Sequence, residues 1–183
     1  DRCILLSENR PEWLIVDIAI MNAGGVTVPL FTTYSEKDYE YIINDCTPSI
    51  VLVSNDEQFN KIKSICERNS SIKKIFSFEK LTGIHPNTYF NFEKLIENKN
   101  KNNEIKLEIN AERSDPACII YTSGTQGNPK GVILSHGGIL SNCEGGYGLL
   151  KPILEKETRF LTWLPLSHSY EHAVQFIQIA VGA

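Results

Sequence analysis

Apolar positions along the chain follow two alternating rhythms. Short apolar runs at 3–6, 26–31, 50–54, 74–78 and 117–122 fit buried or half-buried strands. Between them the spacing is helical. The first helix is expected to begin at Pro11, since proline suits the first helical position, and to stop at Gly24-Gly25, where glycine takes the left-handed turn. Its apolar residues Trp13, Leu14, Val16, Ile18, Ala19 and Ile20 are nearly continuous, which predicts a helix buried on most sides. A second helix is predicted over 35–46, with Ser35 and Asp38 at capping-box spacing and Tyr39, Ile42 and Ile43 at helical intervals. A third covers 56–68. Residues 82–110 show weak periodicity and many Asn and Lys, and read as a long connection with one short helix at 91–97. Further strands are expected at 131–135 and 159–164. Strands alternating with helices imply an α/β fold, a parallel-rich sheet layered by helices.

Composition adds bounds. At 183 residues the chain is one domain or a large piece of one, with 42% apolar and 22% charged residues. A net charge of −4 and basic residues interleaved with acidic ones argue against a nucleic-acid partner. The densest basic stretch, 94–106, also holds Glu97, Glu104 and several Asn, and reads as a solvated loop. Five separated cysteines without a C-x-x-C pair or zinc-finger spacing point to free thiols in a reducing compartment. No apolar run reaches the ~20 residues that span a bilayer. The apolar stretch at 173–183 predicts an exposed apolar surface there.

The chemistry gathers after residue 117. An apolar strand runs into Thr122-Ser123-Gly124-Thr125-Gln126-Gly127-Asn128-Pro129-Lys130-Gly131. Three hydroxyls and the glycines offer side-chain donors and unhindered backbone N–H groups to phosphate oxygens, and Lys130 adds a positive charge. A Walker A loop is excluded, because Pro129 stands where its second Gly belongs and Gly131 where its Ser or Thr belongs. On composition alone, a polar turn between two strands of a hairpin is an equal reading.

The order of residues resembles the signature of the adenylate-forming superfamily, Tyr-Thr-Ser-Gly-Thr-Thr-Gly-x-Pro-Lys-Gly. Ten of the eleven positions agree, the variable one included, and Gln126 stands in place of the second Thr. The stretch Ser7-Glu8-Asn9-Arg10-Pro11-Glu12-Trp13, the segment Gly25-Val26-Thr27-Val28-Pro29-Leu30, and Ser135-His136 also look like acyl-CoA synthetases. So does Leu164-Pro165-Leu166-Ser167-His168-Ser169-Tyr170-Glu171, which is similar to the Leu-Pro-Leu-x-His segment of that branch. Long-chain members often have Glu-Arg after the aromatic, whereas Glu171 is followed here by His172.

The resemblance implies that residues 1–183 are part of the large N-terminal domain of an ATP-dependent fatty acyl-CoA ligase, without the C-terminal lid domain. ATP, Mg2+ and, as co-substrate, coenzyme A are implied. Thr122, Ser123, Gly124, Thr125, Gln126 and Gly127 would hold phosphates and Lys130 would offset charge on the departing pyrophosphate. Thr122 would serve as a metal ligand, and His168 would border the reacting carboxylate. A cytoplasmic setting with peripheral membrane contact is implied, and the 183-residue piece alone is expected to be inactive. Two alternatives stand beside it: a non-catalytic nucleotide- or acyl-binding homologue, and an aryl-acid-activating ligase of the same superfamily.

Overall fold

A computed structural model describes residues 1–82, 89–93, 111–122, 127–154 and 158–182. Seven strands form one sheet: β1 (Arg2–Leu6), β2 (Val26–Leu30), β3 (Ile50–Val53), β4 (Lys74–Ser77), β5 (Tyr89–Asn91), β6 (Pro116–Thr122) and β7 (Lys130–Ser135), in the order β5-β4-β3-β1-β2-β6-β7. All neighbours are parallel except β6 and β7. The α-helices are α1 (Pro11–Asn22), α2 (Glu36–Cys46), α3 (Asp56–Arg68), α4 (His136–Leu150) and α5 (Ser169–Val181). The α/β architecture read from the alternating pattern is the one observed.

The direction of strand addition reverses after β2. The chain steps from β1 outward to β2, then crosses back over β1 to β3 and continues to β4. Because parallel crossovers are right-handed, that reversal puts α1 on one face and α2 and α3 on the other. Strand alternation follows the split. Ile4, Leu6, Val28, Leu30, Val51, Val53 and Ile75 pack with Ile42, Ile43, Phe59 and Ile62 on one face. Cys3, Leu5, Leu52 and Phe76 pack with Trp13, Val16 and Leu166 on the other. Strands buried on both faces read as continuous apolar runs, which is why they were visible in the sequence.

Local signals act as expected at the helix ends. The Ser35 hydroxyl accepts from the Asp38 N–H and the Asp38 carboxylate accepts from the Ser35 N–H, a reciprocal box that satisfies two otherwise orphan donors. Helix α1 stops where Gly24 takes φ 74°, with the Gly24 and Gly25 N–H groups donating to the Met21 and Ile20 carbonyls. All five cysteines are free, and burial pushes the Cys46, Cys66 and Cys118 thiols up to about 12, the behaviour of inert core thiols.

Four expectations change. Helix α1 is not buried on most sides: only Trp13, Val16, Asp17 and Met21 are buried, and Ile15 and Ala19 face outward. A helix on one face of a sheet has a single burying side however apolar its sequence. Residues 159–164 are not a strand; they run without regular structure and pair with no described strand, being held by side chains instead, Gln175 on Thr162 and Asn9 on Leu164, and Leu161 and Trp163 are exposed. Residues 89–91 form an edge strand on β4, and of the helix expected at 91–97 only Phe92 and Glu93 are helical among the described residues. The exposed apolar surface does not centre on 173–183. Ile15, Ile133, Leu149, Ile153, Leu161, Trp163 and Tyr170 are each more than half exposed, and within 173–182 Ile179 is the exposed large side chain. The basic stretch 94–106 falls outside the described residues. Among those described, no helix is long and apolar enough to cross a membrane.

Candidate functional site

In open α/β sheets, ligands bind beyond the carboxyl ends of the strands where strand order reverses. Here that place lies beyond Leu6, Leu30 and Thr122. Strands β6 and β7 form an antiparallel hairpin whose last registered pair is Thr122 opposite Lys130. Directly opposed residues share one face of a sheet with Cβ atoms ~5 Å apart, so the first hydroxyl of the loop and its only lysine stand side by side at its mouth. The hairpin reading is the one observed, and it is compatible with the phosphate-loop reading. Lys130 is exposed and forms no ion pair with a described residue, unlike Lys61 of α3, whose ammonium is held by the Thr32 carbonyl, Glu57 and Gln58. Gly127 takes φ 102°, a conformation that side-chain-bearing residues rarely adopt. Ser123, Gly124, Thr125 and Gln126 lie outside the described residues.

Support for the loop comes from its flanks. Tyr121 is buried, and its hydroxyl donates to Asp45 Oδ2 at 2.5 Å. Burial first, and that carboxylate second, raise the Tyr121 pKa, so the phenol stays protonated. Opposite it, a Cβ on Gly131 would lie 2.9 Å from Ile119 Cγ2 and 3.1 Å from Tyr121 Cζ, so glycine leaves room for the ring. Tyr34 Oη donates to the Tyr121 carbonyl at 3.1 Å, fixing the last peptide before Thr122. Sequence reasoning passed over Tyr34 and Asp45, which meet Tyr121, next to the loop, only through tertiary structure.

His168 reaches the same end of the sheet. The parallel register pairs Thr27 with Cys118; carried four residues along both strands, it brings Phe31 level with Thr122. The His168 ring stands edge-on to Phe31 at 6.3 Å, and Phe31 in turn packs edge-on against Tyr34 at 5.3 Å. Two stretches 46 residues apart in sequence, at 122 and 168, thus converge through a relay of aromatic rings. His168 also caps α5: its Nδ1 accepts from the Tyr170 N–H at 3.2 Å, which leaves Nε2 as the nitrogen that can face a ligand.

Glu171 and His172, which follow, point the other way. Both are buried; the Gln175 amide donates to Glu171 at 2.9 Å, and His172 Nε2 lies 2.7 Å from Asp17 Oδ2. His136, the first residue of α4, sits at a helix entry as expected, with Ser135 accepting from the Gly138 N–H. At the end of β1, burial works against the charge of Glu8, but hydrogen bonds from Ser54, its own backbone, Gln58 and Asn55 outweigh that and lower its pKa.

This combination of a doubly wound sheet with a glycine hairpin loop at its switch point defines a class, and comparison with known proteins names it. The family described as AMP-binding enzyme matches residues 1–183, so the chain belongs to that family. It is 31% identical over 169 residues to the Long-chain-fatty-acid--CoA ligase ACSBG1 of Bos taurus, covering 90% of this chain and 23% of that protein. It is 31% identical over 193 residues to Fatty acyl-CoA synthetase A of Dictyostelium discoideum, covering 100% of this chain and 28% of that protein. The chain thus spans about a quarter of the length of these relatives. A red-emitting luciferase from Phrixothrix hirtus shares the fold, with a TM-score of 0.81 at 18% identity over 99% of this chain and 35% of that one.

Proposed function

We propose that this chain carries the phosphate-binding and carboxylate-positioning parts of an ATP-dependent fatty acyl-CoA ligase, within the large N-terminal domain of a longer enzyme. The observation that carries the reading is the juxtaposition of Thr122 and Lys130 across the loop mouth, with His168 brought to the same sheet end through Phe31. The relatives named as long-chain ligases support a long fatty acid as the substrate class. A cytoplasmic setting with peripheral membrane contact goes with that reading.

In such a reaction a carboxylate oxygen attacks the α-phosphorus of ATP, the bond to the bridging oxygen breaks, and pyrophosphate leaves. The thiol of coenzyme A then attacks the acyl carbonyl and AMP departs. Catalysis of this kind rests on positioning and on neutralising charge that develops during transfer. Thr122, Ser123, Gly124, Thr125, Gln126 and Gly127 line the loop that would hold the β and γ phosphates. Lys130, unpaired among described residues and beside Thr122, is placed to offset charge on pyrophosphate. His168, through Nε2, borders the carboxylate.

A magnesium ion would take one hydroxyl oxygen from Thr122, with its remaining positions going to phosphate oxygens, water and the carboxylate that such sites usually include. Bound there, it would neutralise phosphate charge.

The test is carboxylate-dependent ATP–pyrophosphate exchange in the full-length protein, over short, medium and long fatty acids and an aromatic acid. Exchange with a fatty acid that falls about 10²-fold in Lys130→Ala is expected. Exchange with the aromatic acid alone would shift the reading to an aryl-acid ligase. A folded protein that binds ATP and exchanges with no acid would be a non-catalytic holder.

A further inference from the structure

The turn that carries His168 pairs with no described strand. Residues 158–164 run without regular structure, and Pro165 has no N–H to give. One side chain ties this turn down on both sides of Pro165. Asn9 Nδ2 donates to the Leu164 carbonyl at 2.7 Å, and Asn9 Oδ1 accepts from the Leu166 N–H at 2.8 Å. A carbonyl can only accept and an N–H can only donate, so the partners themselves fix which way the carboxamide points. The two bonds straddle Pro165 and take the part that a neighbouring strand would play. Beyond them the His168 N–H donates to the Pro165 carbonyl at 2.8 Å, closing the turn, and Leu166 is buried in the α1-side core.

A second tie holds the far side. Within the first turn of α5 the His172 N–H donates to the His168 carbonyl at 2.9 Å. The His172 ring meets Asp17 Oδ2 at 2.7 Å, with side-chain exposures of 3% and 0%, and stands edge-on to Trp13 at 5.5 Å. Asp17 Oδ1 has no hydrogen-bond partner among the described residues, and among them His172 is the side chain that meets this buried carboxyl group. An apolar pair would hold two helices together as well or better; a polar pair adds a register. Rotating α5 by one residue, about 100°, would part the ring from the carboxylate.

We propose that Asn9 and Asp17 are positioning residues that grip the segment carrying His168 from both sides. Asn9 holds it at 164 and 166, Asp17 holds it at 172, and His168 lies midway. Both belong to the α1 segment, one just before the helix and one in its second turn, so a single rigid element sets the place of the His168 ring against Phe31. The pattern explains Asp17, a carboxyl group in the middle of the apolar run from Trp13 to Met21. It also gives His172 a reason of its own: the position needs a donor that reaches Asp17. The functional part of this inference rests on the proposed ligase reading; the clamp itself does not.

Two measurements on the full-length protein separate these. Hydrogen exchange of backbone amides reads the clamp directly. Asn9→Ala should speed exchange about tenfold at Leu166 and His168 while leaving 2–6 and 50–53 unchanged; His172→Leu should do so across 168–172, and His172→Gln, which keeps a donor, should do so less. Unchanged protection at Leu166 in Asn9→Ala would overturn the clamp, whether or not any activity is found. In the exchange assay, Asn9→Ala should raise the KM for the carboxylic acid about tenfold with the KM for ATP unchanged. Added to His168→Ala it should cost nothing further, because residues acting through one another are not additive. An additive loss, or an equal rise in the KM for ATP, would remove the positioning role. A wild-type protein without carboxylate-dependent exchange would instead sink the ligase reading, with the hydrogen exchange still deciding the clamp.

Discussion

Helices α3 and α4 are of similar length, yet they spend their apolar residues differently. In α3, Phe59, Ile62, Ile65 and Cys66 recur on one stripe and are buried, with charged residues opposite. In α4 no residue is buried, and Leu140, Tyr147 and Leu149 are exposed. Glycine accounts for much of the contrast. Helix α4 contains Gly137, Gly138, Gly145, Gly146 and Gly148, each about 1 kcal/mol less favourable than Ala inside a helix. One of them serves contact: a Cβ on Gly146 would lie 2.5 Å from Ile177 Cδ1, so glycine lets α5 approach closely. The α2/α3 side of the sheet is therefore a packed scaffold, and the β7/α4 side is a thin layer over its edge. The candidate loop hangs between them, at the end of β6.

The contrast predicts where substitutions will be felt. Phe59→Ala should be the most damaging, since Phe59 is 2% exposed and surrounded by apolar neighbours of the larger core. The loss of transfer energy together with the cavity should cost about 3–5 kcal/mol. Urea unfolding would show it as a lower midpoint at unchanged slope. A loss under 1 kcal/mol would mean that the α2/α3 side is not the scaffold it looks like.

A smaller effect is expected where scaffold and loop meet. In Gly131→Ala the new methyl would press on Ile119 Cγ2 and on the Tyr121 ring. The ring cannot turn away without giving up its bond to Asp45. Overpacking of this kind costs about 1–3 kcal/mol. Because Tyr121 precedes Thr122, ATP affinity measured by calorimetry should fall along with stability. An unchanged affinity would show that the loop is insulated from the strand beneath it.

How much of this was legible beforehand follows the same line. Strands β1, β3 and β4 carry apolar runs buried on both faces, and α2 and α3 carry a striped pattern with caps at their starts, so sequence and structure agree there within a residue or two. Where burial depends on partners far along the chain, local pattern misleads. Residues 159–164 are rich in apolar residues like a strand but pair with no described strand, and Ile15 on the outer face of α1 is more than half exposed. Edge strand β5 is three residues long, too short to show a period. At the candidate site, Thr122, Gly127, Lys130 and His168 stand out in the sequence because special residue types gather in short stretches. Tyr34, Asp45 and Asn9 do not, since each acts through a neighbour brought close by folding. Asp17 left one mark, a carboxylate inside an apolar run, whose meaning needed His172 beside it.

The least effect is expected at Leu149→Lys, and that makes it the sharpest check on the thin layer. Leu149 is 82% exposed near the end of α4, so the substitution removes almost no buried area. Lys and Leu have nearly equal helix propensity, which separates loss of burial from loss of helix. A positive charge in the last turn also faces the negative end of the helix dipole, a gain of about 0.3–1 kcal/mol. Stability should therefore stay level or rise slightly, and the loss of an exposed leucine beside Ile153 should raise solubility. Thermal melts of the purified 183-residue chain and of the full-length protein would read it. A drop of more than 1 kcal/mol in both would place Leu149 in a packed interior and dissolve the contrast between the two sides of the sheet. A drop confined to the full-length protein would instead show that this leucine is covered there.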